Sequence, residues 1–199
     1  MPRAPFRLVV LAATVTLAAC QGPTVPSPLV GQTRYTCCNM HYERPKIDDT
    51  NYQKGVLIPY GTPVQISEVR KNTVKFKAAG HPEILLVQRW GRNKVPMEEY
   101  LDRIFLTEDP HTKTRTASAA ASGKKTNKRA PERVDAFRKN IEQGIVTEGM
   151  TREQVLTSLG YPPVHRTPSL DAPAWTYWEN RWVSFIVYFD GDRVSRVQR

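Results

Sequence analysis

Val183-Ser184-Phe185-Ile186-Val187-Tyr188-Phe189-Asp190-Gly191-Asp192-Arg193-Val194 alternates in side-chain character and then breaks at a turn. A period of two puts Val183, Phe185, Val187 and Phe189 on one face of a strand, with Ser184, Ile186 and Tyr188 on the other. Asp190-Gly191 is a tight-turn signal, and Val194 and Val197 mark the returning strand. Upstream, Trp175 and Tyr177 alternate on an earlier strand, so three antiparallel strands close the chain. If the phenylalanine face meets a core, Trp182 and Tyr188 point away from it, and these two large rings are the candidate partner-binding residues.

Two short helices are expected to cover that sheet. Val134, Phe137 and Ile141 recur at helical spacing within Glu132 to Gln143, and Gly144 follows at a C-cap position. Thr151-Arg152-Glu153-Gln154 then forms a capping box, in which Thr151 takes the amide of Gln154 while the Gln154 side chain reaches back. Val155, Leu156 and Leu159 supply the buried stripe of this helix, and Gly160 before Tyr161-Pro162-Pro163 stops it. Two helices on three strands make a small α+β layer of ααβββ order.

Gly149-Met150-Thr151, Gln154-Val155, Leu159-Gly160, Pro162, Trp175-Thr176-Tyr177, Tyr188-Phe189-Asp190 and Arg193-Val194 resemble, in that order, the SmpA/OmlA (BamE-like) family of outer-membrane lipoproteins. The resemblance covers Ile141 to Val197. It implies an ααβββ fold without catalysis, contacting other envelope assembly lipoproteins or phospholipid. The same layout resembles that of the β-lactamase inhibitor protein, so such a layer serves as a binding platform for more than one target. Two features depart from the family: a β-rich domain and basic linker precede the first helix, and Arg166 to Ala174 forms a proline-bearing loop of its own length.

Ahead of this module, short strand patterns run over Gly55 to Pro59, Thr62 to Val69, Thr73 to Phe76 and Ile84 to Gln88. Turn signals at Pro59-Tyr60-Gly61, Lys71-Asn72 and Gly80-His81-Pro82 separate them. The stretch from Gly55 to Val64 resembles the entry of bacterial SH3-like barrels. Tyr100, Leu101, Ile104 and Phe105 then predict a closing helix over Pro96 to Phe105. The expected organisation is residues 1–20 leader, 21–33 Pro/Gly tether, 34–107 small β-rich SH3-like domain, 108–131 basic linker and 132–199 BamE-like domain. In the linker, Lys113, Arg115, Lys124, Lys125, Lys128 and Arg129 stand among Thr, Ser, Ala, Gly and Asn, a composition that cannot build a core. These six are the candidate anionic-surface-binding residues.

The beginning of the chain places the rest. Arg3 and Arg7 precede an apolar run from Leu8 to Ala19. As a helix this run spans about 18 Å against roughly 30 Å of hydrocarbon, too short for a permanent crossing and suited to an export signal. It ends on Leu17-Ala18-Ala19-Cys20, which resembles a lipobox and implies diacylglyceryl and N-acyl lipid on Cys20, anchoring without a span. Gln21, in place of Asp, resembles the pattern of lipoproteins sorted to the inner leaflet of the outer membrane.

The formal charge is +10, and removal of Arg3 and Arg7 leaves +8, which calls for an anionic partner. In an exported protein that partner is lipid head groups or peptidoglycan, and nucleic acid is not expected. With Cys20 acylated, the adjacent Cys37 and Cys38 remain, and free or mixed-disulfide thiols are expected because a bond between neighbours demands strained geometry. His41, His81, His111 and His165 stand singly, without metal-ligand spacing, and no nucleophile or phosphate-loop motif accompanies them. No catalytic residue, metal or cofactor beyond the lipid is therefore expected. The functional expectation is a non-enzymatic outer-membrane lipoprotein that binds partners in envelope or outer-membrane protein assembly and maintenance. The alternative is a tether or inhibitor that binds peptidoglycan or an envelope enzyme.

Overall fold

The computed structural model describes residues 27–89, 95–112 and 137–199. Cys20 with its leader and the six cations from Lys113 to Arg129 lie outside the described residues. The fold is α+β: a curled β-sheet and a smaller antiparallel sheet, with a few short helices.

In the first half, β1 (Thr33–Thr36), β2 (Met40–Tyr42), β3 (Lys46–Asp48) and β4 (Val56–Ile58) are short. β5 (Pro63–Arg70), β6 (Thr73–Ala78) and β7 (Glu83–Val87) form an antiparallel meander. The six-stranded sheet has the order β3-β7-β6-β5-β1-β8, where β8 is Phe105–Leu106 and β3 lies parallel to β7. β4, within the strand pattern expected over Gly55 to Pro59, pairs with β2 in a two-stranded ribbon.

The spacing of Val64, Ile66 and Val69 has a physical cause. The register of β5 on β6 shifts between Ile66 and Glu68, so an extra residue enters the strand and all three apolar side chains still point inward. Helix α1 (Met97–Ile104) lays Met97, Leu101 and Ile104 on this core, and Phe105 continues into β8 with its ring 5.0 Å from Phe76, edge to face.

Both flanks of this half extend further than composition suggests. Leu29, inside the stretch read as a tether, is buried in the core, and the amide of Gly31 donates to Ile66. At the other end Asp109 accepts the amide of His111, whose ring meets Tyr60 edge on, so residues up to 112 belong to the fold rather than to the basic linker.

In the second half, residues 137–142 are helical and Phe137 and Ile141 pack on a second hydrophobic cluster. Helix α2 (Arg152–Leu159) begins with the expected box: Thr151 Oγ1 accepts from Gln154 N at 3.2 Å, and Thr151 N donates to Gln154 Oε1 at 2.9 Å. The sheet β11-β10-β9 comprises β9 (Ala174–Trp178), β10 (Ser184–Asp190) and β11 (Arg193–Gln198). Trp175, Tyr177, Phe185, Val187, Phe189 and Val194 are buried beneath Met150, Val155 and Leu159.

Val183 breaks the expected stripe and is 45 % exposed. Asn180 Oδ1 accepts the amides of both Trp182 and Val183, so the connection between β9 and β10 captures Val183 and the strand starts one residue later.

Candidate functional site

Two places can carry function: the outward side of the C-terminal sheet with its hairpin tip, and the seam where the two halves meet. On the first, Trp182 is 82 % exposed at the β9–β10 connection, with the Arg181 guanidinium 5.4 Å from its ring. Tyr188 faces outward from β10, half-buried under Arg196, whose guanidinium is 4.3 Å from the ring, and its hydroxyl donates to Gln198 Oε1 at 3.2 Å. Trp182 thus lies on a loop, not on the sheet face.

The seam is a helix C-terminus capped from the other half. The last carbonyls of a helix have no partner within it, and burial makes them costly unless donors arrive. Here every one of them has a donor. The amide of Gly160 takes Leu156 O at 2.7 Å, the amide of Asn39 takes Thr157 O at 3.0 Å, and Asn39 Nδ2 takes Ser158 O at 3.1 Å. Leu159 O accepts from both Asn51 Nδ2 at 2.9 Å and Gln53 Nε2 at 2.8 Å, and Tyr177 Oη donates to Gly160 O at 3.0 Å. Asn39 also donates to Ile141 O and accepts the amide of Tyr60, so one fully buried amide ties both helical stretches of the second half to the first.

Asn51 is the one non-glycine residue with positive φ among the described residues, and this turn aims its amide at Leu159. Gly160, at φ +82°, is needed for close approach as well as for its backbone: a Cβ there would lie 2.9 Å from Asn51 Nδ2 and 3.4 Å from Cys38 Sγ. Sequence periodicity does not single out Asn39, Asn51 or Gln53. The available signal was indirect, a helix stopped at Gly160 whose open carbonyls require donors from elsewhere.

Beside the seam lies a cavity of about 450 Å³, walled by Met40, Ile47 and Leu86 from the first half and Pro163, Val164 and Leu170 from the second, within the size range of small-molecule sites. Cys38 and His165 also line it. Cys37 and Cys38 are free thiols with their sulfurs 2.6 Å apart. The contact with Cys38, followed by burial, holds the Cys37 thiol well above its ordinary pKa, so it keeps its proton at neutral pH.

The histidines are dispersed. His41 packs at Gly144, where burial lowers its pKa to about 4; His81 meets the Tyr42 hydroxyl at 3.1 Å, and His111 meets Tyr60 O at 3.3 Å. Among the described residues no three His, Cys, Asp or Glu side chains gather into a metal-binding group. No described helix is long and apolar enough to cross a membrane. No family model, curated protein or solved structure matches the chain.

Proposed function

We propose that this chain is a non-enzymatic lipoprotein of the outer membrane, facing the periplasm and anchored by lipid on Cys20, whose C-terminal half binds partners in envelope or outer-membrane protein assembly and maintenance. The binding role is carried by the hairpin tip, where Trp182 is 82 % exposed and Val183 beside it 45 %, held there by the Asn180 side chain. Folding leaves these apolar groups in water, and aromatic anchors of this kind can contribute about 2 kcal/mol or more at an interface. The location is supported by the Arg3 to Cys20 leader.

In this reading residues 132–199 are a BamE-like ααβββ platform, supported by the succession of helical residues 137–142, α2 and β9 to β11. Residues 34–107 are an SH3-like domain, supported by the curled sheet of short strands. The cations between Lys113 and Arg129 add contact with anionic phospholipid or peptidoglycan.

Two linked measurements test the proposal. Metabolic labelling with palmitate should mark the wild-type chain and leave Cys20→Ser unlabelled; label retained on the variant would remove the anchor. From detergent-solubilised envelopes the wild-type chain should co-purify with envelope assembly proteins, and Trp182→Ala should lose at least about tenfold of that partner with its melting temperature unchanged. Undiminished co-purification would exclude the hairpin as the binding surface. Recovery of muropeptide or a single envelope enzyme would replace assembly with a tether or inhibitor.

A further inference from the structure

We propose that Cys37 and Cys38 are a modification site, joined to each other by thiol–disulfide exchange with an oxidised thiol such as glutathione disulfide, and that the bond holds the bend that delivers Asn39 to the seam. The inference rests on the export reading only for where the oxidant is met; the chemistry is set by the local structure.

Adjacent side chains on a strand point to opposite faces. Between β1 and β2 the chain bends, and both sulfurs come to one side, 2.6 Å apart. The bend is tied at each end: the amide of Cys37 donates to Ile104 O at 2.9 Å, and that of Asn39 to Thr157 O at 3.0 Å. Among the described residues these are the only cysteines, so neither has a competing protein partner there. Cys38 is 3 % exposed and abuts Gly160, whereas Cys37 is half-buried and meets the oxidant first. Neighbouring Cα atoms lie about 3.8 Å apart, closer than the roughly 4.4–6.8 Å usual for disulfides, so the bond closes a tight ring that favours a bent backbone over an extended one.

The exchange balances in two steps. The Cys37 thiol, giving up its proton as it reacts, attacks one sulfur of glutathione disulfide and expels a glutathione thiolate, which takes that proton. The Cys38 thiolate then attacks the Cys37 sulfur of the mixed disulfide and expels the second. Two protein thiols are oxidised, one disulfide is reduced, and the two protons pass to the released thiolates.

The full chain is equilibrated with oxidised glutathione, quenched in acid, denatured and alkylated without reductant. Cleavage after Arg34 and Lys46, Arg44 being protected by Pro45, yields one peptide holding both residues. It should be lighter than the dithiol by two hydrogens and free of alkyl and glutathionyl groups, and after reduction it should take two alkyl groups. Dialkylation without reduction, or a stable glutathione adduct, would overturn the proposal.

The same assay on chain recovered from envelopes should find the disulfide, while leaderless chain from the cytoplasm should be the dithiol. A dithiol in exported chain overturns the modification as the state of the protein in the envelope. Failure of export overturns the export reading and leaves the glutathione experiment to decide the bond. Reduction should speed hydrogen exchange at Cys37 and Asn39 by about tenfold. Unchanged exchange would refute the hold on the seam.

Discussion

Phe185 and Tyr188 occupy the same strand and face opposite ways, and their contacts set opposite expectations. Phe185 is 2 % exposed and stacks on Tyr177 with centroids 5.7 Å apart, so Phe185→Ala should cost about 3–5 kcal/mol through lost burial and an unfilled cavity. Tyr188 gives up one hydrogen bond and the Arg196 contact, and Tyr188→Ala should cost about 1 kcal/mol or less. Urea unfolding measures both; equal losses would reverse the assignment of faces. His41 adds a pH dependence whose sign follows from burial. Its pKa falls from 6.5 to about 4 on folding, so below pH 6.5 the unfolded chain takes up a proton that the folded chain refuses. The stability it allows is fully present above that value and drains as pH falls toward 4, by at most about 1.4 kcal/mol per pH unit, less where the half-exposed ring is screened. Melting followed from pH 7.5 to 4.5 should therefore show a slope that His41→Gln flattens, and an unchanged slope would assign the acid sensitivity to other groups.

Helix α2 shows what a sequence discloses at the scale of an element. Its N-terminal cap uses Thr151 and Gln154, three residues apart, and could be read directly; Thr151→Ala should cost about 1 kcal/mol. Its C-terminal cap uses Asn51, which lies 108 residues from Leu159, together with Asn39 and Gln53, and no local pattern connects such positions. Asn39→Ala would strand the carbonyls of Ser158 and Ile141 and the amide of Tyr60, so a loss of about 2–4 kcal/mol in urea unfolding is expected, and a loss under about 1 kcal/mol would mean that water serves in its place. Strands followed the same division. β5, β6, β7, β9 and β10 alternate over five residues or more and were legible, whereas β1, β2, β3 and β8 are two to four residues long. In β1 the inward residues Arg34 and Thr36 are polar: one guanidinium nitrogen of Arg34 donates to Asp102 at 3.0 Å and Phe105 O at 3.3 Å, and the Thr36 hydroxyl donates to Pro59 O at 2.7 Å. The exposure of Val183 escaped for a related reason, since alternation predicts which way a residue faces and not where a loop ends. Of the candidate site, the outward position of Tyr188 was readable from alternation, whereas Trp182 owes its exposure to the β9–β10 connection, where alternation no longer applies.

At the scale of the whole molecule, two hydrophobic clusters of unequal size share one seam among the described residues. Units of this size bury too little surface to be secure alone, so the capped end of α2 matters to both halves. The basic stretch offers trypsin sites from Lys113 to Arg129, where composition argues against a core. Brief digestion should therefore cut there first. The two products should not separate on gel filtration, because Asn39, Asn51 and Gln53 still hold the carbonyls of α2 and the amide of Gln53 still donates to Trp178 O at 2.9 Å. Denaturant should part them, and the C-terminal product isolated in this way should melt lower than it does in the complex, since the carbonyls of Thr157, Ser158 and Leu159 then lose their donors. Asn39→Ala should shift the nicked pair toward separate fragments at concentrations where the wild-type pair stays whole. Elution of the wild-type products as two independent, equally stable species would show that the halves are autonomous domains on a string and that the capped seam contributes nothing to holding them together.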